Sequence, residues 1–146
     1  MQVQFGEFHA GWLPIELRAA DRSFAATFSY TPYDSLRELV TWLLELCGGT
    51  PAGVVRWNTE PTEYRFEAAL LDGERVRFDV VRYERRAHDT RRTVVFTIEE
   101  SGLTIARTFW RALRRLETGA DVATRFRELP SSGIALLGRR LEESKG

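Results

Sequence analysis

The chain contains few of the residues on which disulfide frameworks and metal sites depend. Cys47 is its only cysteine, and it has two histidines among 146 residues. A single cysteine excludes an intramolecular disulfide and gives no sign of an oxidising compartment. The two histidines are far apart in the sequence, and no recognised metal-ligand spacing surrounds either of them. We therefore expect no metal and no other cofactor.

Long apolar runs and glycine-rich loops are also missing. The longest apolar stretches are a few residues, whereas a membrane-spanning helix needs roughly 20. The first residues lack the basic and apolar regions of a secretory signal. Gly48-Gly49 follows a predicted helix and ends it, so it does not form a phosphate loop between a strand and a helix. These absences predict a cytoplasmic protein with no membrane contact.

The basic and acidic residues balance, with 21 of each, but they are unevenly spread. Residues 1–74 hold five arginines and eleven acidic residues, whereas residues 75–146 hold fifteen arginines, Lys145 and ten acidic residues. A net charge of zero argues against a dedicated nucleic-acid-binding protein and still allows a local basic surface. With 43% hydrophobic and 29% charged residues, the chain has the composition of one globular domain, which we expect to span residues 1–146.

Two hydrophobic periods divide the chain. Apolar residues alternate in three predicted strands before residue 31 and in four more between residues 54 and 98, which is typical of antiparallel strands. Between these sets, apolar residues at helical spacing predict a helix that starts at Thr31-Pro32 and stops at Gly48-Gly49. Trp42 lies outside the apolar arc of this helix, so we expect it at the rim of the core or exposed.

After Gly102 the pattern is helical. It predicts a helix that ends near Gly119, a short helix capped by Asp121, and a last helix that starts at Ser131 or Ser132. The fold class that follows is α+β: a mostly antiparallel sheet of about six to seven strands with helices packed on one face.

One hairpin is regular enough for its register to be predicted. A three-residue loop with a left-handed Gly73 sets Phe66 opposite Phe78 and, on the other face, Glu67 opposite Arg77. The core pattern and the charge pattern agree in this register, because opposite residues share a face of the sheet.

The strand after this hairpin changes its alternation. The change falls at Val80-Val81 and predicts a β-bulge. A polar connection is then expected from Glu84 to Arg92, and it is the most basic loop in the chain. Its arginines are Arg85, Arg86, Arg91 and Arg92.

Aromatic and acidic residues gather between residues 57 and 65. The candidate binding residues in this segment are Trp57, Glu60, Glu63, Tyr64 and Arg65. Such aromatic side chains are enriched at the centres of protein interfaces, and they are also ordinary sheet residues. Two carboxylates beside aromatic rings resemble a sugar site in residue type, which keeps a small-molecule enzyme as an alternative.

The predicted helix after Gly102 has a basic face. Its arginines, which fall within an arc of about 100° opposite the apolar face, are Arg107, Arg111, Arg114 and Arg115. Together with the basic loop they would suit phosphates or an acidic protein partner. An ordinary solvated helix face is the competing interpretation.

The element order, together with the stretch Trp57-x-x-Glu60-Pro61-x-Glu63-Tyr64-Arg65, resembles a group of short uncharacterised bacterial proteins. The resemblance spans most of the chain and rests on this motif and on the order of strands and helices. It implies an α+β fold and brings no assigned activity and no catalytic residues. Small α+β proteins of this kind are often suspected of immunity or antitoxin roles, which is an analogy between folds.

These observations favour a non-catalytic protein-binding module, immunity-like or antitoxin-like by that analogy. Its partner would be a protein, either acidic or a second copy of the chain. The expected surfaces are the 57–65 segment and the arginine face of the helix after Gly102. Two alternatives stay open: nucleic-acid binding through the arginine-rich helix and loop, and a small-molecule enzyme with a carboxylate site near Glu60 and Glu63.

Overall fold

The computed structural model describes residues 1–119 and 129–144 and has the predicted α+β fold. Seven strands form one antiparallel sheet in which neighbours in space are neighbours in the chain. The elements are β1 (Gln2–Phe5), β2 (Trp12–Ala19), β3 (Arg22–Ser29), α1 (Ser35–Cys47), β4 (Val55–Asn58), β5 (Glu63–Asp72), β6 (Arg75–Arg85), β7 (Thr90–Ser101), α2 (Gly102–Gly119) and α3 (Ser131–Glu143). The predicted cap at Asp121 lies outside the described residues.

The sheet is joined narrowly at its middle. β3 and β4, which α1 separates in the chain, pair through Ser29 and Asn58 alone. Strand twist then brings the start of β3 towards the opposite edge of the sheet. There the Arg22 guanidinium donates a hydrogen bond to the Thr97 carbonyl at 2.9 Å. The sheet therefore coils around the core, and α1 and α2 lie against it while α3 packs on both.

An aromatic cluster fills the space between the sheet and the helices. Phe66 lies at its centre, with ring centroids 5.2 Å from Trp57, 5.3 Å from Phe78 and 5.8 Å from Phe109. The prediction that Trp42 lies at the rim is wrong, because this residue is 1% exposed. Since α1 contacts β4, α2 and α3, the helix buries a wider face than its apolar arc suggests.

The beginning of α1 also differs from the prediction. Asp34, and not Thr31, is the N-cap, and its carboxylate accepts a hydrogen bond from the Arg37 backbone N–H at 3.4 Å. Thr31 instead bonds Ser29 and Glu60 through its hydroxyl. The Asp34 carboxylate satisfies a free N–H group of the first turn, and its negative charge interacts favourably with the positive end of the helix dipole.

The predicted register of the β5–β6 hairpin is wrong by two residues. Phe66 stands opposite Val80, and Glu67 stands opposite Asp79. The chain turns at Gly73-Glu74 and shifts its register between Leu70 and Asp72, so the loop is shorter than predicted. A two-residue error keeps each side chain on its predicted face, because side chains alternate with a period of two. The cross-strand charge pairs predicted for this hairpin are therefore absent.

The polar connection predicted from Glu84 to Arg92 is mostly strand. β6 continues to Arg85 and β7 begins at Thr90, and the Arg86 N–H bonds the Asp89 carbonyl at 2.8 Å across the turn. The polar side chains do not end the strands here, because side chains on a solvated face leave the hydrogen bonds between the strand backbones intact. A register shift between β6 and β7 does fall at Val80-Val81, but the bulge predicted in that strand is misplaced: the extra residue is Val95 of β7, and β6 pairs with β5 without a shift there. Among the described helices, none is long and apolar enough to cross a membrane.

Candidate functional site

The face of β4–β7 that points away from the core carries a row of charged and phenolic side chains. Opposite residues of an antiparallel pair share a face. Because Phe66 and Val80 face the core, Arg65 and its opposite residue Val81 lie on the other face of the sheet, where Val81 is itself 0% exposed. We call this surface the outer face. The interacting side chains on it form what we call the polar ladder, which comprises Glu38, Arg56, Tyr33, Glu63, Arg65, Tyr83, Glu67 and Arg92.

The polar ladder begins at the first turn of α1. The Arg56 guanidinium on β4 donates to both carboxylate oxygens of Glu38, at 3.1 Å and 2.6 Å. Its central carbon lies 4.0 Å from the centroid of the Tyr33 ring, within the range of a cation–π interaction. The Tyr33 hydroxyl then donates a hydrogen bond to Glu63 at 2.5 Å. The segment before α1 is thereby tied to β4 and β5.

The second half of the polar ladder crosses from β5 to β7. Arg65 donates to Glu63 at 2.6 Å, and its guanidinium carbon lies 4.2 Å from the centroid of the Tyr83 ring. The Tyr83 hydroxyl donates to Glu67 at 2.6 Å, and Arg92 donates to the other oxygen of Glu67 at 2.8 Å. Each arginine and each tyrosine of the ladder therefore has a fixed orientation.

The electrostatics of the ladder favour the charged forms of Glu63 and Arg92. Burial disfavours the charged form of Glu63, but hydrogen bonds from Tyr33 and Arg65 outweigh it, so the pKa of this carboxyl lies below its usual value. The hydrogen bond to Glu63 raises the pKa of the Tyr33 phenol, and burial adds to the rise. The hydrogen bond to Glu67 raises the pKa of the Arg92 guanidinium. Glu63 is therefore an anion and Arg92 a cation near neutral pH.

A cleft opens on the outer face beside the ladder. Its volume is about 360 Å³, and its lining includes Tyr33, Asn58, Glu63, Arg65, Tyr83 and Arg85. Arg85 lowers the pKa of both Tyr33 and Glu63 by its charge, so its guanidinium lies near them. Within residues 1–119 and 129–144, Arg85 has no hydrogen-bond or ion-pair partner, and it is exposed. Two arginines against one carboxylate give the lining a net positive charge.

The structure separates the candidate binding residues of the 57–65 segment. Glu63 and Arg65 lie on the outer face and line the cleft. Trp57 is 0% exposed and packs on Phe28 and Phe66, so its side chain belongs to the core and not to a surface. Alternation along the strands explains this, since successive side chains point to opposite faces.

The remaining two residues of that segment also serve the fold. Tyr64 is half-buried, and its ring lies 5.4 Å from Phe24 and 5.8 Å from Phe28 on the core side. Glu60 accepts a hydrogen bond from Thr31 at the turn before β5. The aromatic rings that would flank a sugar between Glu60 and Glu63 therefore face away from the cleft.

The arginine face of α2 is less free than its sequence spacing suggests. Arg114 forms an ion pair with Glu117 one turn further along the helix. Arg115 donates to the Val3 carbonyl of β1 at 3.2 Å. Arg107 and Arg111 have no ion-pair partner in the part of the chain that the structure describes. The four residues thus lie on one helix, as predicted, but two of them are engaged within the protein.

Among residues 1–119 and 129–144, no three His, Cys, Asp or Glu side chains lie close enough together to hold a metal ion. Cys47 is half-buried, and burial raises the pKa of its thiol. A thiol with a raised pKa is a poor nucleophile near neutral pH.

Several residues of the site were not singled out from the sequence. Tyr33, Arg56, Glu67 and Tyr83 are in the polar ladder, although none belongs to a recognised motif. The outward parity of Arg56 and Glu67 could have been derived from the strand alternation, since each of them lies between two apolar positions, whereas Tyr83 lies between two charged residues and its parity is not marked in this way. Tyr33 precedes α1, so only the tertiary structure brings it to the sheet.

Comparison with protein-family models, with curated proteins and with solved structures finds no match to this chain.

Proposed function

We propose that the protein is a non-catalytic binding module that holds a protein partner against the outer face of β4–β7. The observation that carries this proposal is the unpaired Arg85 beside the oriented side chains of the polar ladder, at the mouth of a cleft. Arginine and tyrosine are the residue types enriched at protein interfaces. Their orientation by neighbouring carboxylates lowers the entropy that binding would cost.

The charge of the cleft favours an acidic partner. Glu63 is already bonded to Tyr33 and Arg65, whereas the Arg85 guanidinium lies near Glu63 without an ion pair or hydrogen bond to any described residue. A carboxylate from a partner could bond Arg85 without breaking an existing ion pair. A charged group brought to this surface from a basic partner would find the carboxylates of Glu63 and Glu67 engaged.

The test is a quantitative capture experiment with the tagged protein in a lysate of the organism that encodes it. We expect the wild type to retain a protein. Changing Arg85 to Glu should weaken the affinity for that protein by at least about tenfold, or roughly 1.4 kcal/mol. Arg86→Glu is the matched control, because Arg86 is the next residue in the chain and does not line the cleft. The captured protein should be acidic over the surface that contacts the bait.

Three outcomes would overturn the proposal. Capture of no protein by the wild type would remove the binding function, and equal losses in both variants would remove the cleft as its site. Retention that nuclease treatment abolishes would instead support nucleic-acid binding, which should weaken with salt and with Arg111→Glu.

A further inference from the structure

The sheet has two open edges, and an arginine side chain bonds the first of them at Val3. β1 pairs only with β2 among the described strands. The Gly6 N–H bonds the Pro14 carbonyl of β2. Because backbone bonding alternates along an antiparallel strand, the even-numbered residues of β1 bond β2, and the N–H and carbonyl groups of Val3 are directed towards the open edge. Arg115 donates to the outward Val3 carbonyl at 3.2 Å. An added strand would have to displace it.

The second half of β7 is guarded in the same way. The Gly102 N–H bonds the Glu74 carbonyl, so Thr97 and Glu99 turn their backbone groups towards the open edge. The Thr97 carbonyl accepts from Arg22 at 2.9 Å, and the Glu99 carbonyl accepts from Arg75 at 3.3 Å. Side chains that occupy edge carbonyls hinder pairing with another chain.

The first half of β7 has no such guard. The Arg86 N–H bonds the Asp89 carbonyl, and the register shift at the bulge separates this half from the second. By the same alternation, Thr90, Arg92 and Val94 turn their N–H and carbonyl groups towards the open edge. No side chain of the described residues bonds these groups, and Val94 is 44% exposed.

We propose that the open edge from Thr90 to Val94 takes an extended acidic segment of the protein partner as an eighth strand. This inference rests on the proposed function, since it assumes that the partner is a protein, and it specifies how that partner is held. Three N–H and three carbonyl groups are offered there, which suits a segment of about five to seven residues. Strand addition of this kind obtains affinity from backbone hydrogen bonds and specificity from side chains.

The charges beside this edge determine the chemistry of the occupant. Arg91 is exposed and has no ion-pair partner within the described ranges, and Arg92 lies next to it. A second copy of β7, paired antiparallel over the same five residues, would place two arginines from each chain on one short ladder. Like charges opposite each other destabilise such pairs. Acidic side chains at alternate positions of the added strand all point to one face of the sheet and would there meet Arg91, which lies on the face opposite to Arg85 because it stands opposite Glu84.

The probe for this proposal is a synthetic peptide, acetyl-Thr-Glu-Val-Glu-Val-Glu-Thr-amide, titrated into the isotope-labelled full chain and followed by NMR. We expect the amide resonances of residues 90–94 to shift most. A peptide with Lys in place of each Glu should bind at least about tenfold more weakly. A third peptide, N-methylated at alternate amides on its pairing edge, should fail to bind because it lacks donors, and this arm requires no variant of the protein.

Two proline variants locate the site on the protein. Val94→Pro removes an outward N–H and no bond to β6, so the strand should remain paired. We expect Val94→Pro to weaken binding of the acidic peptide by about tenfold, or roughly 1.4 kcal/mol. Glu99→Pro is the matched control, since Glu99 also points outward but lies in the guarded half. The affinity of the Glu99→Pro variant for the acidic peptide should stay within about twofold of that of the wild type.

Each contrary result has a separate meaning. No binding of the acidic peptide, equal binding of the Lys peptide, or an affinity unchanged by Val94→Pro would overturn strand addition of an acidic segment. A wild-type protein that dimerises through residues 90–94 would identify the second copy as the occupant and overturn the proposal too. If the partner captured from lysate is lost with Arg85→Glu but kept with Val94→Pro, strand addition fails while the proposed function stands.

Discussion

Changing Glu63 to Gln should destabilise the protein by a predictable amount, because Glu63 joins the two halves of the polar ladder. Its carboxylate accepts from Tyr33 at 2.5 Å and from Arg65 at 2.6 Å, and its side chain is 15% exposed. A hydrogen bond to a charged group contributes roughly 1.5–3 kcal/mol. Because Gln keeps one carbonyl oxygen as an acceptor, we expect a loss of about 1.5–2 kcal/mol in the free energy of unfolding.

Urea unfolding followed by tryptophan fluorescence measures this loss, and thermal unfolding should show a fall in Tm of about 4–8 °C. Glu84→Gln is the matched control. Glu84 also pairs with an arginine, Arg82 at 2.8 Å, but both side chains are more than a third exposed. An exposed pair of this kind contributes at most about 1 kcal/mol.

The pH dependence gives a second, independent measurement. The pKa of Glu63 is lower in the folded protein than its usual value, so the folded state holds fewer protons on this group. The stabilisation is therefore complete above the ordinary pKa of about 4.3 and is lost as the pH falls through the lower folded-state pKa. The difference in stability between the wild type and the Glu63→Gln variant should thus begin to shrink below about pH 4.3 and disappear as the pH falls past the folded-state pKa of Glu63.

A double-mutant cycle with Tyr33→Phe separates the two bonds of Glu63. Residues in direct contact show coupling energies of roughly 0.5–3 kcal/mol, and we expect about 1 kcal/mol here. The reasoning is refuted if Glu63→Gln costs no more than Glu84→Gln, if its cost is the same at acid and neutral pH, or if the cycle shows no coupling.

Three further changes test the fold by urea unfolding. Gly73 has a φ of +57° with open space around it, so Gly73→Ala should cost about 1 kcal/mol of stability through backbone strain alone. Gly119→Ala is the control and should cost nothing, because Gly119 also has open space around it but lies outside the left-handed region. Equal costs for the two substitutions would contradict this reasoning. Asp34→Ala should cost about 1 kcal/mol by removing the N-cap of α1, and an unchanged stability would show that the cap contributes little. Phe66→Ala should cost about 3–5 kcal/mol because the ring is fully buried among aromatic side chains, and a loss below about 2 kcal/mol would mean that the core refills the cavity.

The order of strands and helices and the fold class could be predicted because they depend on local periods. Alternation marked the strands, and helical spacing marked α1, α2 and α3. The faces of the strands followed as well. Glu63 and Arg65 could therefore be selected as candidate surface residues, although Trp57 between two surface positions could have been recognised as inward by the same alternation.

The hairpin register and the burial of Trp42 could not be predicted, because each depends on a choice between nearly equivalent local structures. A two-residue turn with a bulge and a three-residue loop keep the same side chains on the same face, so the hydrophobic pattern does not distinguish them. Trp42 is buried because neighbouring helices cover a second side of α1. The hydrophobic arc of a single helix contains no information about what packs beside it.

The sequence by itself thus determined the order of the elements and the face of the sheet on which the side chains of β5 lie, since these follow from periods of two and 3.6 residues. Only the tertiary structure decided which charges meet. Tyr33 reaches Glu63 across 30 residues of chain, and Arg22 reaches the Thr97 carbonyl across 75. Such contacts depend on the coiling of the sheet and on the packing of α1 and α2, which together bury the core. The edge from Thr90 to Val94 stays open, whereas arginine side chains bond edge carbonyls at Val3, Thr97 and Glu99.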